Sequence, residues 1–148
     1  MRENIMIRRL QEADIDSVLA LWLNTNLQAH NFIPAAYWKN NLAVVRDMLP
    51  QAEVYVYEDA GEIQAFIGLG GEYIEGIFVV DKMQSQGIGK RLLDYIKTKK
   101  IELHLHVYQK NTRAVRFYQR EGFEIRCAGV DASTGEKDYA MVWKQGQL

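Results

Sequence analysis

The sequence predicts an α/β protein with a mixed sheet: about seven strands and four helices in the order β-α-α-β-β-β-α-β-α-β-β, forming one domain over residues 1–148. Three observations lead there. Apolar residues recur with helical spacing in several segments. Others are β-branched or aromatic and alternate. Turn-forming stretches such as DAGE (59–62) and ASTGE (132–136) separate them.

IMIRRL (5–10) reads as the first strand. Ile15, Val18, Leu19, Trp22 and Leu23 then fall at i, i+3, i+4, i+7 and i+8, with Asp14 as a candidate N-cap. NTNLQAHNFIP (24–34) shows no clear period. Pro34 suits the first turn of a second helix carrying Tyr37, Trp38, Leu42, Val45 and Leu49, which stops before Pro50. Trp22, Tyr37 and Trp38 read equally as core packing. AEVYVYED (52–59), IQAFIGLGG (63–71) and EYIEGIFVV (72–80) are three successive strands. A glycine-containing turn opens a helix with Leu92, Leu93 and Ile96 on its apolar face and KTKK (97–100) at its end, where cations suit the helix dipole. IELHLHVY (101–108) is a strand. NTRAVRFYQREG (111–122) is a short helix between a capping asparagine and a stopping glycine. FEIRCAGV (123–130) and KDYAMVW (137–143) close the sheet.

Composition narrows the function. The 148 residues are 48% hydrophobic and 25% charged, with a formal net charge of −1. Without a basic excess the chain is a poor candidate for general nucleic-acid binding. One cysteine, Cys127, excludes an internal disulfide and a multi-cysteine metal site. No apolar run approaches the ~18 residues of a membrane span, and MRENIMIRRL lacks a signal-peptide core, so a cytoplasmic protein is expected. Oligomeric state is not legible.

Two blocks carry chemistry. In QSQGIGKRLL (84–93), Gly87 and Gly89 flank Ile88 at the entrance to a helix. Glycine there costs roughly 0.5–1 kcal/mol relative to alanine. Uncapped N–H groups and the dipole make such an entrance an anion site that a phosphate can approach closely. A tight strand-to-helix turn explains the same residues. A dinucleotide fingerprint would need a third glycine where Leu92 stands, and a P-loop would need Ser or Thr where Arg91 stands. The second block is NTRAVRFYQREGF (111–123). On a helix beginning at Asn111, Asn111, Ala114, Val115 and Tyr118 share one side. That side serves either as a polar anchor with a phenol or as an ordinary packed face.

Together the blocks resemble the GNAT superfamily of acetyl-CoA-dependent N-acetyltransferases. The family's phosphate loop, Gln/Arg-x-x-Gly-x-Gly/Ala, matches Gln84-Ser85-Gln86-Gly87-Ile88-Gly89. Its second block matches Asn111, Ala114, Phe117-Tyr118 and Gly122-Phe123, and the element order agrees from end to end. AHNFIPAAYW (29–38) is similar to small bacterial members, some of which acetylate protein amines.

The resemblance implies acetyl-CoA as cosubstrate. It assigns Gln84, Gln86, Gly87, Ile88, Gly89 and Lys90 to the pyrophosphate, and the strand at Phe78, Val79 and Val80 to the pantetheine arm, in a wedge against the strand ending near Tyr108. Asn111 is an anchor for that arm. Tyr118 contacts the cofactor and acts as general acid toward the departing thiolate. The general base is open. His104 and His106 share one strand face, and His106 stands where some relatives carry a catalytic glutamate; an ordinary imidazole pKa of about 6.5 suits proton removal. Glu75 is the second candidate. His30 and Tyr37 lie in the presumed acceptor segment. No third ligand accompanies the histidine pair, so no metal is expected. The expected function is acetyl transfer to a primary amine: a protein lysine, a protein N-terminus or a small molecule. The alternative is a non-catalytic acyl-CoA-binding or regulatory module.

Overall fold

A computed structural model describes residues 4–146. Seven strands form one sheet in the order β1-β2-β3-β4-β5-β7-β6. They are β1 (Ile5–Arg9), β2 (Glu53–Asp59), β3 (Glu62–Gly70), β4 (Tyr73–Val79), β5 (Glu102–Tyr108), β6 (Glu124–Val130) and β7 (Lys137–Lys144). All neighbours are antiparallel except β4 and β5, the parallel pair at the centre.

Five helices accompany the sheet: α1 (Ile15–Ala29), α2 (Ala35–Asn40), α3 (Leu42–Met48), α4 (Ile88–Lys97) and α5 (Thr112–Arg120). Four helices were expected; the second divides at Asn41. The Asn41 side-chain amide donates to Tyr37 O at 2.6 Å, and its backbone has turned to φ −96°, ψ −1°. A short polar side chain that bonds the preceding turn competes with the helical ladder. The opposite correction applies to α1, which continues into the first half of the stretch without apparent period and ends at Ala29. Thr25 and Asn26 lie on its buried side because their side chains donate to Leu21 O and Trp22 O, which satisfies them inside the helix.

Strand alternation divides the core. Val54, Val56 and Phe66 face α1, where Val18, Leu19 and Leu21 cover them. Tyr55, Tyr57, Ile67 and Leu69 face Leu92, Leu93 and Ile96 of α4, and this cluster continues through Leu103, Leu105, Val115, Tyr118 and Met141. The helices thus hold both faces of the sheet around the β4–β5 junction. Asp14 is the N-cap residue of α1 but its side chain makes no capping bond there, accepting instead from Gln11 N at 2.7 Å at the head of the preceding 3-10 turn. It is buried and accepts two hydrogen bonds from the Arg8 guanidinium, at 2.7 and 3.1 Å, which hold its carboxyl below the usual range. No helix among the described residues is long and apolar enough to cross a membrane.

Candidate active site

The site begins with an interruption in the sheet. β4 and β5 are in register at a single pair, Tyr73 and His104, beside the bond from His104 N to Glu72 O at 2.9 Å. Beyond it β4 continues to Val79 and β5 to Tyr108 with no further pairing, so the strands splay. On its other edge β4 pairs with β3, and Val80 N–H donates to Gln64 O at 2.8 Å. Antiparallel alternation therefore turns the backbone groups of Phe78 and Val80 toward β3, and those of Ile77 and Val79 toward the gap. Of the expected trio Phe78, Val79 and Val80, only Val79 offers its main chain to the wedge. Ile77 joins it. This parity depends on the β3–β4 register, which has a bulge at Gly68/Leu69.

At the mouth of the wedge the chain makes a tight loop into α4. Ser85 (φ +67°) and Gly87 (φ +83°) are both left-handed, and Gly87 is the helix N-cap. No side chain caps the helix, which leaves the N–H groups of Ile88, Gly89 and Lys90 free of partners among the described residues. Gly89 differs from Gly87: its backbone is helical, and an added Cβ would meet the Phe117 ring at an ordinary 3.4 Å. Neither conformation nor internal packing calls for glycine there, which fits a ligand approaching from outside. Gln84 is structural. Its amide donates to Val79 O at 3.1 Å and its carbonyl accepts from Arg113 at 2.8 Å, while Arg113 also bonds Ser85 Oγ. Arg113 ties the loop to α5, and sequence reading missed it. Gln86 makes one long contact, to Lys82 O at 3.4 Å. Lys90 pairs with Glu121 and Asp94, both at 3.3 Å.

Tyr118 comes from α5. It is 8% exposed, packed edge-on to Phe117 and Phe123, and its hydroxyl has no hydrogen-bond partner among the described residues. Burial pushes its pKa far up, and the charge of a Tyr73 phenolate would push it further, so the phenol keeps its proton at neutral pH. The two strand histidines separate by partner. His104 Nε2 closes on Glu102 at 2.5 Å, whereas His106 Nδ1 lies 2.9 Å from the Tyr73 hydroxyl. Glu72, Glu102 and His104 bring their ligand atoms within 4.8 Å of one another, but His106 is not part of that set. Glu75 is exposed on β4, and desolvation raises its pKa. Beside the start of the splay is an open cavity of about 420 Å³ lined by Tyr73, His104, His106 and Ala140, among others.

The presumed acceptor segment is tied into the same region. His30 Nδ1 lies 3.0 Å from Asn26 Oδ1, and its Nε2 lies 3.1 Å from Asn111 Nδ2. One partner can only accept and the other can only donate, which fixes a neutral imidazole with its proton on Nδ1. Burial agrees, lowering the His30 pKa to about 4. Asn111 also caps α5, its Oδ1 accepting from Ala114 N at 3.2 Å. Both functional groups of Asn111 are thus engaged within the protein, with one amide hydrogen to spare. The Tyr37 hydroxyl meets Ser133 Oγ at 2.9 Å, and Tyr108 donates to Asp131 at 2.6 Å, so α2 and β5 are both joined to the turn between β6 and β7.

A splayed parallel pair beside an uncapped, glycine-entered helix, with a buried tyrosine on α5, defines the acyltransferase class called GNAT. Residues 50–125 match the family model described as an acetyltransferase (GNAT) domain, and the chain belongs to that family and is an N-acetyltransferase. Among its relatives, the peptidyl-lysine N-acetyltransferase YiaC of Escherichia coli strain K12 is 38% identical over 141 residues, covering 93% of this chain and 96% of YiaC. The solution structure of apo YjaB from Escherichia coli superposes with a TM-score of 0.85 at 24% identity, covering 97% of this chain and all of that one. The PaiA N-acetyltransferase of Thermoplasma acidophilum, solved in complex with coenzyme A, gives a TM-score of 0.80 at 17% identity over 96% of this chain and 99% of its own.

Proposed function

We propose that this single-domain chain transfers the acetyl group of acetyl-CoA to the ε-amine of a protein lysine, by direct attack in a ternary complex. The observation that carries this reading is the separation of β4 from β5 beside the uncapped N-terminus of α4. An extended arm fits the first and a pyrophosphate the second. A lysine acceptor is supported by the 38% identity to a peptidyl-lysine N-acetyltransferase.

The N–H groups of Ile88, Gly89 and Lys90 would hold the pyrophosphate, with Gln84 and Arg113 keeping the loop in shape. The edge of β4 at Ile77 and Val79 would pair with the pantetheine arm, and one of its N–H groups would meet the charge that develops on the carbonyl oxygen. Asn111 keeps one amide hydrogen for the arm. Bound acetyl-CoA supplies the thioester carbonyl as electrophile. A lysine ammonium, with an ordinary pKa of about 10.4, must lose a proton before it attacks. His106 is the base, with Glu75 the second candidate. Tyr118 donates a hydrogen bond and then its proton to the departing sulfur. Its raised pKa does not forbid this, because the surroundings that disfavour a phenolate also disfavour a thiolate. His30 and Tyr37 shape the acceptor side, His30 through Asn26 and Asn111 and Tyr37 through Ser133. A phenol on α5 with no hydrogen-bond partner among the described residues argues against a purely binding module.

The test is release of free thiol from acetyl-CoA with lysine peptides, N-terminal peptides and polyamines as acceptors. Lysine peptides are expected to give the highest kcat/KM. Tyr118→Phe is expected to keep acetyl-CoA affinity and lose turnover by roughly 10²–10⁴-fold. Preference for a polyamine would replace the acceptor. An active Tyr118→Phe variant would remove the acid.

A further inference from the structure

Tyr73 is the first residue of β4 and is in register with His104 of β5 at the one pair before the splay opens. Its hydroxyl lies 2.9 Å from His106 Nδ1, and the rings are 5.7 Å apart. The two nitrogens of an imidazole lie on opposite edges of the ring. With Nδ1 directed at the Tyr73 hydroxyl, Nε2 points away from that phenol, and it has no partner among the described residues. The nitrogen on the β4 side is therefore covered by a phenol. Tyr73 is half-buried whereas His106 is exposed. Burial raises the Tyr73 pKa, and the main-chain N–H of His106 acts on the same oxygen in the opposite sense. An oxygen that already faces one N–H has its own proton to give to Nδ1.

We propose that Tyr73 and His106 form a two-step proton relay, with Tyr73 as the group that meets the acceptor amine. This deepens the reading of His106 as base and rests on it. The Tyr73 oxygen takes a proton from the acceptor ammonium while its own proton passes to His106 Nδ1. One N–H and one O–H bond break, one O–H and one N–H bond form, and the charge moves from the ammonium to the imidazolium. The exposed Nε2–H then returns a proton to water. Tyr118, which senses the charge of Tyr73, remains free to serve the sulfur. The other ionisable groups around the pair are Glu72 in the turn before β4, Glu75 on β4, His104 and Tyr108 on β5, Asp138 on β7 and Asp131 in the turn between β6 and β7. Of these Glu75, Asp138 and Asp131 bear on Tyr73 electrostatically.

The experiment is the pH dependence of kcat/KM with one lysine peptide for wild type, Tyr73→Phe, His106→Gln and the double variant. Circular dichroism and coenzyme A affinity serve as controls for folding. In wild type the rate is expected to rise with pH along a limb set by the relay. Each single variant should lose that limb and fall roughly 10- to 100-fold near neutral pH, and the double variant should be no worse than the singles, as for groups that act as one unit. If Tyr73→Phe does not fold, 3-fluorotyrosine at 73 keeps the shape and weakens the oxygen as an acceptor, and the limb should move to lower pH. Loss of the limb in His106→Gln with an unchanged limb in Tyr73→Phe or the fluorinated protein would overturn the relay and leave His106 as base. An unchanged limb in His106→Gln would overturn both. Absence of thiol release by wild type with every acceptor would overturn the acetyl-transfer reading itself.

Discussion

His30 is a titratable group held neutral by its neighbours. A second proton on the ring would place an N–H on Nε2, facing the amide hydrogens of Asn111, which caps α5 through its other end. The stability consequence has a definite sign. With a folded pKa of about 4 against 6.5 for an ordinary histidine, the unfolded chain binds more protons between those values. Folding stability should fall as the pH drops through that window, by about 2 kcal/mol at pH 5 from this residue alone. Urea unfolding at pH 7 and pH 5 measures it. In His30→Gln, which does not titrate, the difference between the two pH values should shrink by that amount. An unchanged difference would mean that burial does not hold the ring neutral.

At the level of elements, the N-terminus of α4 separates stability from binding. Gly87 is required by its positive φ, but Gly89 is helical and has room for a Cβ. Gly89→Glu replaces a poor helix former and places a carboxylate in the first turn, where the dipole favours it by about 0.3–1 kcal/mol. The free protein should be as stable as wild type or slightly more so. Acetyl-CoA binding should weaken at least tenfold, because the carboxylate would occupy the anion site. Urea midpoints and calorimetry with acetyl-CoA give the two readouts. Unchanged affinity would remove the assignment of this helix to the pyrophosphate. A fall in both would show that Gly89 serves packing against Phe117.

The whole molecule has two hydrophobic clusters on opposite faces of one sheet, and strands β2 to β4 contribute to both. Losing either cluster exposes a face of those shared strands, so the chain should unfold as one cooperative unit, in keeping with a single domain. The tryptophans permit the check. Trp22 packs with the α1 cluster, and Trp143 packs against the other. Variants that retain only Trp22 or only Trp143 should give the same urea midpoint by fluorescence as by circular dichroism, once each is compared with its own far-ultraviolet curve. Two separated transitions would divide the chain into independent halves.

The sequence by itself determined the seven strands, the order of elements and the placing of the glycine turn and the Asn111 block, because periodicity, caps and turn residues are local properties. It also carried the family resemblance, since both motifs are contiguous. Helix boundaries were legible only where side chains behave as their type suggests. Thr25 and Asn26 stayed helical by bonding inside α1, and Asn41 broke a helix by the same kind of bond made one turn back; the outcome depends on what lies around each residue. The tertiary structure alone decided which backbone groups of β4 face the wedge, because that follows from the register against β3. It alone joined Arg113 to the glycine-containing loop before α4 across 28 residues, His30 to Asn111 across 81 and Tyr73 to His106 across 33. It also gave two histidines on one strand face different partners, Glu102 for one and a phenol for the other. Hydrogen bonds act over about 3 Å and are indifferent to separation along the chain, so pairs like these are fixed by the fold and leave no local trace in the sequence.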